Sequence, residues 1–171
     1  SKIMNELDQK LVEYVPRGEG ETTVNDGMEV TICVFNNKTN EMSYSCAGSR
    51  FLIFENNALT MFKGDNKHIG DVETDFFGYN SFFKEFKSDF NLFLFTDGFQ
   101  DQFGGVKDKK YSFRRLLELF EANINLPLEE QGRIIENEFE KWIGDNQQTD
   151  DVTILSVTRE IINFDEHEDL S

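Results

Sequence analysis

Two acidic motifs stand where carboxylates can do chemistry. Asp97 closes the apolar run Leu92-Phe93-Leu94-Phe95 through Thr96 and is followed at once by Gly98. Asp150 and Asp151 run straight into the apolar alternation of residues 152–157. An unbroken apolar run of this length reads as a strand buried on both faces. Thr96-Asp97-Gly98 therefore sets a carboxylate at the mouth of a buried strand. The glycine beside it leaves room for the backbone to turn or for a ligand to approach. Carboxylate oxygens are hard donors and suit divalent cations such as Mg²⁺ or Mn²⁺. A strand followed by Asp-Gly is also the ordinary mark of a hairpin end. Asp97 and Gly98 alone do not separate turn from ligand; their combination with Asp150 and Asp151 carries the metal reading.

The elements that must position these pairs follow from periodicity. Ile3, Leu7 and Leu11 recur at helical spacing, which predicts a helix over residues 2–15, ended by Pro16 and Gly18. A polar loop follows over 17–25. Strands are expected at 28–35, 41–46, 51–54 and 59–62, joined by turns too short for crossover helices. They read as one antiparallel meander with 28–35 central. Phe76 and Phe77 need cover, and further strands are expected at 81–87 and 90–95. Beyond Gly105 the chain turns basic (Lys107, Lys109, Lys110, Arg114, Arg115) and then helical over 112–122, with Ser112 as candidate N-cap. A second helix is expected over 128–143, its stripe formed by Ile134, Ile135, Glu138, Phe139 and Trp142, stopped by Gly144. The last strand occupies 152–157. The stretch 160–171 reads as an acidic, disordered tail after a single domain over 1–159. His68 and His167 read as ordinary surface residues.

Composition narrows the function classes. With 33 acidic against 17 basic residues and a net charge of −16, nucleic acid and anionic membrane surfaces are poor partners. Eighteen phenylalanines demand a well-filled core or an interface. Cys33 and Cys46 lie in strand-like segments without ligand spacing and read as reduced thiols. No phosphate-binding glycine loop, GxSxG elbow or HExxH helix occurs. No membrane span or signal peptide is visible, so a cytoplasmic location is expected.

The order of these features resembles the C-terminal portion of the metal-dependent type 2C (PPM) protein phosphatases, in particular their bacterial SpoIIE-like branch. The stretches that carry the likeness are MNELDQKL (4–11), DGMEVTICVF (26–35), YSCAGSRFLIF (44–54), KGDNKHIG (63–70), LFTDGFQDQFGG (94–105) and QTDDVTIL (148–155). The last two are the most specific. The resemblance implies an α+β fold, a layered sandwich of antiparallel sheets flanked by helices, N-terminally incomplete here. It implies hydrolysis of phosphoserine or phosphothreonine by a metal-activated water, with two Mn²⁺ or Mg²⁺ ions in an intact domain. Asp97 and Asp150 match metal ligands of the family, and Gly98 and Asp151 lie near the metal. The partners implied are a phosphoprotein substrate and upstream sensor domains of a parent chain in bacterial signalling.

The chain also departs from the pattern. Nothing in it matches the family's earlier Asp-Gly-His-Gly-type motif, which bridges the two metals. Two carboxylates then hold at most one ion weakly, and the chain by itself is expected to be inactive or nearly so. Ser49-Arg50-Phe51 replaces a Pro-containing continuation found in many members. A non-catalytic pseudo-phosphatase that binds a partner, through an exposed face of Ile3, Leu7 and Leu11, is the alternative. A purely structural α+β domain whose acidic pairs are turns is a third reading. Open sheet edges lead to an expectation of homodimers.

Overall fold

A computed structural model describes residues 1–14, 27–71 and 75–162. The expected loop over 17–25, His167 and the tail from residue 163 lie outside the described residues. In chain order the elements are α1 (Lys2–Tyr14), β1 (Val30–Asn36), β2 (Glu41–Ala47), β3 (Arg50–Glu55), β4 (Ala58–Lys63), β5 (Phe82–Glu85), β6 (Phe90–Phe95), α2 (Gly98–Asp101), β7 (Phe103–Gly104), β8 (Lys109–Lys110), α3 (Phe113–Asn123), α4 (Leu128–Ile143), β9 (Ile154–Thr158) and α5 (Arg159–Ile162). Residues 160–162, assigned to the tail from sequence, thus belong to a helical turn, and Ile162 packs against the core.

The strands form two antiparallel sheets, ordered β1-β2-β5 and β4-β3-β6-β9, with β7-β8 a separate small hairpin. The single meander expected from the short turns is therefore broken in two. The chain leaves the first sheet at Ala47 and enters the second at Arg50, through Gly48 and Ser49 alone. Gly48 takes a positive φ of 64°, which a residue with a side chain rarely adopts. β2 then pairs with β5 and β3 with β6, so hairpin neighbours in sequence end up in different layers. For the same reason β1 is an edge strand and β2 the central one among the described residues, reversing the expectation. The β3–β4 turn places Asn56 and Asn57 at φ 53° and 60°, the two-residue geometry that matches strand twist.

Between the sheets lies a core of Met42, Tyr44, Cys46, Phe51, Ile53, Phe86, Phe90 and Leu92. The Phe86 and Phe90 rings stack with centroids 3.8 Å apart. A second core lies between the four-stranded sheet and α3/α4, where Phe93 stacks on Phe120 at 4.4 Å. The run 92–95 divides between them: Leu92 and Leu94 enter the first core, Phe93 and Phe95 the second. That is why the alternation of a half-buried strand is missing from it. Each buried ring removes enough apolar surface to contribute roughly 1.5–3 kcal/mol.

Helix α1 covers the outer face of the three-stranded sheet. Met4 is fully buried with Ala47, Ile69 and Tyr79, and Leu7 and Leu11 pack on the same cluster. The helix face offered from sequence as an exposed interaction surface is thus mostly used inside the fold; Ile3 alone of its three residues is largely exposed. Asp8 fastens the helix by accepting from Lys67 Nζ and from the Gly70 N–H, both at 2.7 Å. Phe76 finds cover against Tyr79, whereas Phe77 is fully exposed, against expectation. Ser112 occupies the N-cap position of α3 but makes no side-chain cap bond. Among the described residues no helix is long and apolar enough to cross a membrane. Both cysteines are free; burial and the charge of Cys46 push the Cys33 thiol up to about 12.

Candidate functional site

Strand β6 ends at Phe95 opposite Ile154, the first residue of β9. One residue further, Thr96 and Thr153 meet: Thr96 N–H donates to Thr153 O at 3.0 Å. The Thr96 hydroxyl donates to Asp151 O at 2.8 Å and accepts from Thr153 N–H at 2.9 Å. This clasp places the two acidic motifs side by side. Gly98 is buried against the same backbone, and a Cβ there would lie 2.4 Å from Asp151 O. The glycine after Asp97 is therefore required by close approach of the second motif rather than by a turn. Asp97 and Asp150 each sit one residue from this contact, and both residues are exposed.

The sequence did not reveal α2. Asp97 is its N-cap and makes no side-chain cap bond, so its carboxylate is not spent on the helix. Asp150 Oδ1 accepts the Asp151 N–H at 2.7 Å. Asp101, between the two glycine-flanked ends, pairs with Lys110 at 3.0 Å.

The loop that delivers Asp150 is held by Gln102, a residue without signal in the sequence. It is fully buried. Its Nε2 donates to Phe103 O and Gln147 O, both at 3.0 Å, and its Oε1 accepts from Thr149 N–H at 3.2 Å. Its carbonyl accepts from Trp142 Nε1 at 3.0 Å. One residue, through its side-chain amide and its backbone carbonyl, thus ties α4, the 147–149 loop and the α2 end together. Gly104 allows it: a Cβ there would lie 1.9 Å from Trp142 O.

Asp97 lines a cleft of about 510 Å³ with Glu29, Thr31, Ser49, Arg50, His68 and Thr96 among its other walls. His68 is more than an ordinary surface residue. Its Nδ1 lies 3.1 Å from Asp71 Oδ2 and its Nε2 3.5 Å from Glu29 Oε1. The ring lies over Gly48, where a Cβ would meet it at 2.1 Å. The spacing His68-x-x-Asp71 was the one signal for this arrangement.

The donors at the Asp97/Asp150 end are hard oxygens, the chemistry Mg²⁺ and Mn²⁺ require. Among the described residues, however, no group of three or more His, Cys, Asp or Glu side chains is gathered to hold a metal ion. Asp97 and Asp150 offer oxygen donors of the right kind, and no third acidic, histidine or cysteine side chain is gathered with them among the described residues.

The family model for stage II sporulation protein E (SpoIIE) matches residues 1–160. Among solved structures, the chain is similar to the SiaA-PP2C domain of Pseudomonas aeruginosa, with a TM-score of 0.76 at 23% identity. The match covers 90% of this chain and 58% of that one, so the chain spans little more than half of that relative. It is also similar to the phosphatase domain of the cell fate determinant SpoIIE from Bacillus subtilis, with a TM-score of 0.52 at 12% identity, covering 90% of this chain and 72% of that one. The Mn-presoaked structure of that domain gives 0.56 at 16% identity, covering 89% and 70%. Comparison with curated proteins finds no match. These likenesses establish the layered α+β fold of the type 2C phosphatase domains.

Proposed function

Because this chain belongs to the stage II sporulation protein E (SpoIIE) family, we propose that it is part of a metal-dependent phosphatase acting on phosphoserine or phosphothreonine in a bacterial signalling protein. The observation that supports this reading is the Thr96 clasp, which ties the Asp97-Gly98 segment to the backbone of Asp151 and Thr153, beside an open cleft that Asp97 lines. Asp97 and Asp150 would hold a single Mn²⁺ or Mg²⁺, with Asp151 and Gly98 beside it. When bound, such a cation neutralises phosphomonoester charge and lowers the pKa of water. The chain's own residues do the positioning. Thr96 fixes the spacing of the two motifs, Gln102 holds the loop before Asp150, and the cleft admits the substrate side chain. With two carboxylates only, the chain by itself turns over little or no substrate, and upstream domains of a longer chain would regulate the complete site.

The test is Mn²⁺ titration followed by paramagnetic broadening of amide resonances. Saturable broadening centred on residues 96–98 and 149–152, lost in Asp97→Asn and in Asp150→Asn, is expected. Broadening that survives both substitutions overturns the metal assignment. Steady turnover of p-nitrophenyl phosphate in Mn²⁺ that disappears in Asp97→Asn overturns the claim of low activity instead. The small donor set favours one second reading, a pseudo-phosphatase that binds a phosphoprotein without hydrolysing it. Phosphopeptide binding without Mn²⁺ binding would select it.

A further inference from the structure

Arg50 opens β3 immediately after the two-residue passage between the sheets. Its Nη2 donates to Gln100 Oε1 at 3.2 Å, and its guanidinium carbon lies 4.5 Å from the centroid of the Phe113 ring. Gln100 is itself buried and belongs to α2, three residues after Asp97. The short helix that begins at Asp97 therefore also orients the guanidinium. In a chain with 33 acidic and 17 basic residues, Arg50 has no carboxylate within ion-pair distance among the described residues. Their ion pairs involve Lys2, Lys67, His68, Lys84, Lys87, Lys110, Arg114, Arg133 and Arg159.

This cation faces the same space as Asp97. Both line the 510 Å³ cleft and an adjoining recess of about 80 Å³ shared with Glu29, Gly48, Phe95 and Gln100. The recess is the smaller of the two spaces, open to an oxyanion, and the larger cleft beside it accommodates the side chain that carries one. A guanidinium stacked on a ring and held at one nitrogen keeps the rest of its N–H fork for two oxygens of one anion. Glu29 and Asp97 are the carboxylates facing it. Glu29 is engaged by His68 at 3.5 Å, and Asp97 is the proposed cation ligand.

We propose that Arg50 is the residue that binds the phosphoryl group of the substrate, holding its oxygens in the recess beside Asp97. The proposal rests on the phosphatase reading for the identity of the anion. Gln100 and Phe113 act as positioning residues for Arg50.

The experiment uses the ¹⁵N-labelled chain in EDTA, titrated with inorganic phosphate and with phosphoserine, while the Arg50 Nε–H resonance is followed. Saturable movement of that resonance with both probes is expected. Affinity falls at least about tenfold in Arg50→Gln and is partly restored in Arg50→Lys, which keeps charge but loses the fork. Asp97→Asn, by removing a like charge from the recess, tightens phosphate binding. An unmoved Arg50 resonance overturns the proposal, as does equal affinity in Arg50→Gln or the same response to chloride at matched ionic strength. Unchanged affinity in Asp97→Asn overturns the placement beside Asp97. Circular dichroism checks that the variants fold. Mn²⁺ broadening separates the two readings: an Arg50 that is silent while Mn²⁺ binds sinks this proposal alone. Phosphate bound at Arg50 without any Mn²⁺ site supports it and sinks the metal reading.

Discussion

Replacing Gly98 by alanine tests whether the two acidic motifs are in contact as described. Two effects oppose each other. Gly98 is the first residue of α2, and alanine in a helix is favoured over glycine by up to about 1 kcal/mol. Against that, the added Cβ would lie 2.4 Å from Asp151 O and 3.0 Å from Asp151 C, where ordinary contact begins at 3.4 Å. Both atoms are backbone, so a strand end must retreat by about 1 Å rather than a side chain rotate. Overpacking of this kind costs ~1–3 kcal/mol. The retreat also stretches the two Thr96 hydroxyl bonds at 2.8 and 2.9 Å, each contributing about 1 kcal/mol. The clash wins, and a net loss of about 2 kcal/mol is expected, a fall in Tm of roughly 4–8 °C for a chain of this size. Urea denaturation measures it. Gly132, in α4 with nothing within 4 Å of its Cβ position, is the internal control. The same substitution there should stabilise by ~0.5–1 kcal/mol. A Gly98→Ala variant as stable as the parent would refute the contact and with it the juxtaposition of Asp97 and Asp150.

Other outcomes follow from single residues. Gln102→Ala leaves Thr149 N–H and two carbonyls without their partner, for a loss of about 2–3 kcal/mol; hydrogen exchange at Thr149 should quicken more than at Leu92 in the sheet. Lys67→Met removes the buried partner of Asp8 and is expected to cost at least about 3 kcal/mol, with denaturation loosening α1. On the alkaline side, burial and the Cys46 charge hold the Cys33 thiol up near 12 from 9.0, and burial and Glu138 hold Tyr111 near 12 from 10.0. The unfolded chain ionises first, so stability is intact below pH 9 and declines between pH 9 and about 12. Cys33→Ala should flatten the onset of that decline, measured by denaturation across the window. The edge strands β1 and β9, each paired on one side only among the described residues, lead us to propose self-association; light scattering at high concentration should show dimers, and a monodisperse monomer would count against it.

How much was legible beforehand depends on where the signal lay. Helices α1 and α4 were readable from local periodicity, α4 to the residue, because Gly144 marks its end with a backbone bond to Glu140 O. The run 92–95 announced a strand buried on both faces. The layering was implied only by the family resemblance and was not legible in the periodicity. A two-residue link looks the same in sequence whether it joins strands of one sheet or passes between two, and only the pairing of β2 with β5 and β3 with β6 decides.

The sequence by itself offered candidate carboxylates: Asp97 with Gly98 beside it after one apolar run, and the pair Asp150-Asp151 before another. Those are local facts, written in neighbouring residues. Tertiary structure alone decided what they meet. Thr96 reaches Asp151 across 55 positions, Gln102 reaches Gln147 across 45, and Arg50 reaches Gln100 across 50. Periodicity carries no information over such separations, because a hydrogen bond between distant residues leaves no repeating pattern in either one. The candidate carboxylates stood out in the chain, whereas the contacts of Thr96, Gln102 and Arg50 around them became visible only in the folded protein.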